Sequence, residues 1–398
     1  MVMMNGAREV VVLSGVRTAI GRYGGSLKDI PPSELAAQVV RESVARARIK
    51  PADVGHVVFG HVIHTDTHDM YLSRVAAVKG GLPVETPALT LNRLCGSGLQ
   101  AIVSAAQMIA LGDVDAAVAG GAESMSRGAY WLPAMRWGQR LNDGAVVDAA
   151  VGALTDPFDD CHMGTTAEAV AAKWAITREE QDALAVDSQR RAAAATAAGF
   201  FKSQILPITV ERTGGLTTFA TDEHIRPDTN VASMAKLKPV FDPHGTVTAG
   251  NASGLNDAAA AVVLMERGVA TRRGLRPRAR LVSYAHAGVE PKYMGIGPVP
   301  ATRAALARAG LLVADLDIIE LNEAFAAQAI AVMRELGLPP AKTNPNGSGI
   351  SLGHPIGATG CILTVKALYE LERTDGRYAL VTMCIGGGQG IAAVFERI

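Results

Sequence analysis

Asn92-Arg93-Leu94-Cys95-Gly96-Ser97-Gly98 places a cysteine in a glycine-flexible turn, between an extended run (Ala88 to Leu91) and a helix. Leu99, Ile102, Val103, Ala106 and Ala110 recur at the spacing of one buried helical face. Leu111-Gly112-Asp113 supplies the stop, with Gly112 placed for a left-handed end. Free N–H groups and the positive dipole end of such a helix favour an anion, which inclines Cys95 toward thiolate. A lone cysteine there reads equally as an inert core residue, because free cysteines are commonly buried. The rest of the chain decides between the two.

The last third repeats the first. Asp315-Leu316-Asp317-Ile318-Ile319 echoes Asp53-Val54-Gly55-His56-Val57-Val58, a turn into a strand. Each is followed, after nearly the same distance, by a glycine-rich helix start, at Cys95 in the first case and His354 in the second. Behind His354, Ile362, Val365, Leu368 and Leu371 form a helical face, and Tyr378 to Met383 reads as the last strand. This self-similarity predicts a duplicated βα fold with a pseudo-twofold axis, the two helix starts meeting near it.

Around this repeat, Glu9 to Leu13 reads as a strand and Ser33 as the cap of a helix carrying Leu35, Val39, Val44 and Ala47. His61, His64 and His68 fall in a polar loop read as solvated rather than metal-binding. Ala116 to Ala119 is a strand ending at Gly120-Gly121, and Asn256 to Met265 an apolar run rejoining the main body. Between about Ala122 and Gly254 the alternation lapses, all three tryptophans appear, and Thr177-Arg178-Glu179-Glu180 caps an alanine-rich helix stopping at Gly199. The segment reads as a large insertion, the kind of excursion that carries function.

Composition bounds the class. The 398 residues include 42 glycines, are 48% hydrophobic and only 5% aromatic, which suits an α/β protein with many tight turns. Lys+Arg and Asp+Glu both total 38, against a general nucleic-acid or membrane-surface binder. Cys95, Cys161, Cys361 and Cys384 form no C-x-x-C pair and no metal-ligand spacing, so no metal and a reduced, intracellular compartment are expected. Met1 to Glu9 lacks an apolar signal core, and no apolar run reaches the roughly 18 residues of a membrane span. A cytoplasmic protein is expected.

Four stretches carry chemistry: Cys95-Gly96-Ser97-Gly98, Asn322-Glu323-Ala324-Phe325-Ala326, Gly353-His354-Pro355-Ile356-Gly357 and Cys384-Ile385-Gly386-Gly387-Gly388. A thiolate nucleophile needs a neighbouring base, and His354 is the candidate. Cys384, at a strand end beside three glycines, suits a proton donor and acceptor, with nearby N–H groups to bind an oxyanion. Asn322, ending the run Ile318 to Leu321, suits holding a water for the same purpose. Singly, each has a plain reading as turn, cap or core.

In this order the four stretches resemble the thiolases (acetyl-CoA C-acyltransferases), and among them the bacterial broad-range β-ketothiolases. The resemblance runs from Val10-Val11-Val12-Leu13-Ser14-Gly15-Val16-Arg17-Thr18 to the C-terminus. It implies duplicated βαβαβαββ halves forming a five-layer α-β-α-β-α core, with a loop domain inserted in the N-terminal half. The corresponding divisions are 1-124 plus 255-276, 125-254 for the CoA-binding insertion, and 277-398. It further implies Cys95 as the acyl-accepting nucleophile, His354 as its activator, and Asn322 as holder of the oxyanion-hole water. Cys384 would be the acid/base at the α-carbon, and the N–H groups of Cys95 and Gly386 a second oxyanion hole. Ser253, Arg226, His162, Met163 and Met294 would line the CoA and thioester path, with Lys236 and Lys238 adding positive charge. Acetyl-CoA and short-chain 3-ketoacyl-CoA, C4 to C6, are the implied substrates, with no permanently bound cofactor and a homotetramer built as a dimer of dimers. A decarboxylating ketoacyl synthase on the same plan, and an idle acyl-CoA binder, are the alternatives; Cys384 argues against the former.

Overall fold

The repeat is realised as two halves of like strand order. In the computed structural model, which describes residues 8–212 and 215–398, the first half holds β1 (Val10–Thr18), β2 (His56–Gly60), β3 (Ala88–Leu91), β4 (Ala116–Ser124) and β5 (Asn256–Glu266). They lie in the order β3-β2-β4-β5-β1. The second half holds β6 (Ala279–Gly288), β7 (Ile318–Leu321), β8 (Tyr378–Ile385) and β9 (Gln389–Arg397), in the order β7-β8-β9-β6. The place of β3 is taken there by one parallel bridge, Ile319 to Thr343. β1 and β6 pair through Val11–Arg280 and Val12–Ala279, joining the halves edge to edge.

The helices are α1 (Pro32–Ala47), α2 (Leu72–Lys79), α3 (Ser97–Leu111), α4 (Met163–Lys173), α5 (Arg178–Ala197), α6 (Pro298–Ala309), α7 (Ala326–Leu336) and α8 (Thr359–Thr374). α1 and α2 cover the outer face of the first sheet; α6 and α7 cover the second. α3 and α8 pack on each other between the sheets, giving five layers, α-β-α-β-α. Because helices cover both faces, strands such as β1 and β4 are buried along their whole length and read as continuous apolar runs. The starts of α3 and α8 meet backbone to backbone. A Cβ on Gly98 would lie 2.8 Å from the Cys361 nitrogen, and one on Gly360 2.3 Å from that of Leu99. Only glycine permits that approach, and it sets the loops of Cys95 and His354 side by side.

Several expectations are corrected. β4 does not end at Gly120-Gly121 but continues to Ser124. Those glycines serve close approach rather than a turn, since a Cβ on Gly121 would lie 2.2 Å from the Gly357 carbonyl oxygen. Tyr378 to Met383 is not in the last strand: β9 follows, and Gly386-Gly387-Gly388 is the hairpin turn between them. Ser33 does not cap α1, which opens at Pro32 with Ser33 buried inside its first turn. His61 is buried rather than solvated, with Nδ1 2.9 Å from the Ala122 carbonyl oxygen. By mean hydropathy, 1.5, Leu94–Leu111 does have the length and character of a membrane-crossing window, yet it is α3 with its lead-in turn, in the middle layer. Met1 to Ala7, most of the stretch read for a signal core, lie outside the described residues.

The excursion leaves after β4 and returns at β5, which pair antiparallel. It is anchored to the sheet by Ile205 and Leu206 alongside Arg17 and Thr18, and by the wholly buried Arg17–Asp222 ion pair at 2.7 Å. α5 opens with the expected capping box: Glu180 N–H donates to Thr177 Oγ1 at 3.2 Å and Thr177 N–H to Glu180 Oε2 at 3.0 Å.

Candidate active site

Local hydrogen bonds shape the turn that carries Cys95. Leu94 N–H donates to Asn92 Oδ1 (2.8 Å), Arg93 N–H to Ser97 Oγ (2.8 Å), and Ser97 Oγ–H to the Leu94 carbonyl (2.7 Å). They hold Leu94 at φ 43°, a left-handed conformation costing a leucine about 1–2 kcal/mol. Cys95 then sits in a short 3₁₀ turn ahead of α3, where its own N–H and that of Gly386 favour the thiolate. Burial pushes the thiol up to about 11, the nearby Glu123 acting in the same sense and the two N–H groups only partly opposing it. The expected inclination to thiolate is therefore overturned: desolvation outweighs the helix start. Cys95 rests as a thiol.

His354 occupies the loop before α8. Its N–H donates to Asn256 Oδ1 (2.9 Å), and Gly357 N–H donates to Glu123 Oε2 (2.9 Å). Burial pushes the imidazole down to about 4, so it is neutral at pH 7. Nδ1 lies 2.7 Å from Thr359 Oγ1. Asn322, at the end of β7, is wholly buried, with Nδ2 3.3 Å from His354 Nε2; its Oδ1 has no partner among the described residues. Cys384 lies at the end of β8 with 1% of its surface exposed, its thiol pushed up by burial and by the proximity of Cys95. At Gly386 a Cβ would lie 2.7 Å from Met163 Cε, so a side chain there would displace the thioether from the cavity wall.

One cavity of about 520 Å³ brings these groups together. Cys95, His354, Cys384, Gly386, Ser253, Arg226, His162, Met163 and Met294 all line it; Asn322 stands behind His354 and does not. Met125, Ala150 and Ile356 wall the cavity beside Cys95, and Met163, Met294 and Phe325 beside Cys384. His162 stacks on Phe241 with centroids 4.7 Å apart, while its Nδ1 accepts the Gly164 N–H at 3.0 Å. Ser253 donates its N–H to the Ala324 carbonyl at 2.9 Å. Arg226 lies exposed where the cavity adjoins a groove of about 300 Å³. Lys236 and Lys238 are exposed and line neither. Among the described residues no His, Cys, Asp or Glu group is arranged to hold a metal. Two thiols, a neutral imidazole and inward N–H groups in an apolar chamber suit transfer of an acyl group from one thiol to another carbon or sulfur.

Family models for the thiolase N-terminal domain and the thiolase C-terminal domain match residues 10–268 and 275–397. The chain belongs to the thiolase family. This thiolase is 68% identical to the beta-ketothiolase BktB of Cupriavidus necator over 98% of this chain and 100% of that one. It superposes on the Bacillus anthracis acetyl-CoA acetyltransferase at TM-score 0.97, with 45% identity, over 99% of this chain and 100% of that one. Against the human mitochondrial 3-ketoacyl-CoA thiolase in complex with CoA the TM-score is 0.96 at 43% identity, covering 98% of each chain.

The thiolase structure adds residues that motif reading passed over. Glu123, wholly buried, accepts N–H groups of Val62 and Ile63 as well as Gly357, and so ties the His354 loop to the first half. Burial raises its carboxyl to about 8. Asn256 fixes His354 from β5, its Nδ2 donating to the Gly21 carbonyl at 3.0 Å. The signal was present in sequence: a polar side chain ends the run in Ala122-Glu123-Ser124 and begins it in Asn256-Asp257. A buried polar group at a strand end needs partners. Glu323, inside one of the motifs, points away from the cavity, its Oε1 accepting from Asn344 (2.8 Å) and its Oε2 from Ser188 (2.6 Å).

Proposed function

We propose that this thiolase is a β-ketothiolase, catalysing reversible thiolysis of 3-ketoacyl-CoA and Claisen condensation of acetyl-CoA with an acyl-CoA. The observation that carries the reading is the pair Cys95 and Cys384 on one apolar cavity, with Gly386 on the same wall and its N–H favouring the Cys95 thiolate. In thiolysis, His354 takes the Cys95 proton and the sulfur attacks the 3-keto carbon. The C2–C3 bond breaks toward the thioester, and Cys384 protonates the resulting enolate to acetyl-CoA. CoA then gives its thiol proton to Cys384, attacks the acyl-Cys95 thioester and releases Cys95, which recovers its proton from His354. One sulfur cannot serve both steps, since it is acylated during the second. A ketoacyl synthase has no use for a second thiol here, and an idle binder none for either.

The Gly386 and Cys95 N–H groups are suited to the oxyanion on the Cys95 side, and a water held by the unpartnered Asn322 Oδ1 and His354 to the enolate oxygen. The cavity's apolar walls suit a short acyl chain, and Arg226 at the mouth suits a CoA phosphate. A homotetramer is supported by the exposed Tyr130, Trp131, Leu132, Met135 and Trp137 of the excursion. Free cysteines support a cytoplasmic setting.

The test is CoA-dependent cleavage of acetoacetyl-CoA and 3-ketovaleryl-CoA, followed side by side as loss of enolate absorbance. Turnover of both at similar kcat/KM is expected; turnover of acetoacetyl-CoA alone narrows the enzyme to C4, and turnover of neither rejects the reading. Ser253→Ala should raise the KM for acetoacetyl-CoA about 3- to 10-fold, the worth of one neutral hydrogen bond, with kcat nearly unchanged. An unaltered KM would leave Ser253 a packing residue.

A further inference from the structure

We propose that Thr359 is a positioning residue that fixes which nitrogen of His354 carries the proton, and thereby leaves Nε2 free to act as the base. The proposal rests on the reading of His354 as the base of a β-ketothiolase and adds the group that makes it one.

Thr359 Oγ1 lies 2.9 Å from the Pro355 carbonyl oxygen and 2.7 Å from His354 Nδ1, with both side chains buried. A hydroxyl has one proton to give, and a carbonyl can only accept. Both short contacts are hydrogen bonds only if the Thr359 proton goes to Pro355 and the hydroxyl presents a lone pair to Nδ1. Nδ1 must then be the donor. A neutral imidazole has one N–H, so Nε2 is left with its lone pair. Asn322 does not choose between the forms, since its Nδ2 stands over the ring, 3.3 Å from Nε2 and 3.5 Å from Nδ1. Were Nε2 protonated instead, the hydroxyl would have to turn its proton to Nδ1, and its 2.9 Å contact with the Pro355 oxygen would hold no hydrogen.

The structure also says which variant is clean. Thr359→Val keeps the β-branched shape at the start of α8 and removes only the hydroxyl. The Pro355 carbonyl it abandons still accepts the N–H groups of Ala358 (2.8 Å) and Thr359 (3.0 Å), so no backbone acceptor is orphaned. Thr359→Ser keeps the hydroxyl. Without it, nothing holds the proton on Nδ1, and the Nε2–H form gains population at the expense of the base.

Two readouts isolate this role. In steady-state thiolysis of acetoacetyl-CoA, Thr359→Val should lower kcat about 10- to 100-fold, the scale of a lost general base in part of the population, with KM nearly unchanged. Alkylation of Cys95 by iodoacetamide at the same pH reports activation of the sulfur without any CoA contact and should slow by a similar factor. Thr359→Ser should stay within about threefold of the parent in both assays. A valine variant within twofold of the parent in both, or a serine variant as impaired as valine, would overturn the role of Thr359. A parent protein that does not cleave acetoacetyl-CoA at all would instead remove the reading beneath it.

Discussion

Cys95→Ser should lose thiolysis by on the order of 10⁴-fold, although only sulfur is exchanged for oxygen. The expectation follows from the neutral resting pair. Burial holds the Cys95 thiol at about 11 and the His354 imidazole at about 4, so both line the cavity uncharged at pH 7. The proton must then move as the carbon is attacked. A thiol tolerates that, because the N–H groups of Cys95 and Gly386 favour its thiolate and the thiolate is intrinsically a strong nucleophile. A serine hydroxyl is a far weaker acid in the same dry surroundings, where His354 has no charged partner to help it. The folded protein should be little affected, since the exchange is nearly isosteric. Steady-state thiolysis of acetoacetyl-CoA, with mass measurement of acid-quenched enzyme, checks both halves: no turnover and no acyl adduct. A serine variant retaining a tenth of the parent rate would remove Cys95 from the nucleophile's place. The same pair sets the pH profile of the parent. Because the His354 value is lowered, its base form persists well below the ordinary histidine range, and kcat/KM should fall on the acid side only as pH approaches about 4 to 5, provided the fold survives there.

How much of this was legible in the chain depends on the range of the interaction. The two halves and the helix starts at Cys95 and His354 follow from local periodicity and turn chemistry, which the sequence carries directly; β6 and β9, and the order of strands in the sheets, do not. The end of α3 also follows, where Gly112 adopts φ 88° as its position implied. What failed was decided by contacts distant in sequence. Gly120-Gly121 has the composition of a turn, but the Ala260 and Gly357 backbones press against it and keep it in a strand. The state of Cys95 was misjudged because a helix start is visible in sequence whereas desolvation is a property of the assembled walls. His61 looked like a loop residue until Glu123 and Ala122, brought from β4, enclosed it. The four motifs named the reacting groups. Glu123, Asn256 and Thr359, which hold those groups in place, are ordinary polar residues until the halves come together.

Cys384→Ala should separate the two halves of the reaction. Transfer of an acetyl group from acetyl-CoA to Cys95 breaks a bond to sulfur, and a thiolate with a pKa of about 8.5 leaves with little help. That exchange, followed with labelled CoA, should fall no more than about 100-fold. Carbon–carbon bond making or breaking is different. It needs a proton moved at the α-carbon, a far weaker acid than any thiol, and the other reacting groups on the cavity are engaged: Cys95 carries the acyl group, and His354 is tied at Nδ1 to Thr359. Condensation and thiolysis should therefore drop on the order of 10⁴-fold, the upper range for a lost general acid–base. Removing one buried sulfur costs about 1 kcal/mol of stability, too little to unfold a protein of this size. The variant should accumulate acetyl on Cys95 as a stable mass increment while failing to make acetoacetyl-CoA. If exchange and condensation fell by the same factor, the two thiols would share one task, and the proton at the α-carbon would have to be sought on His354.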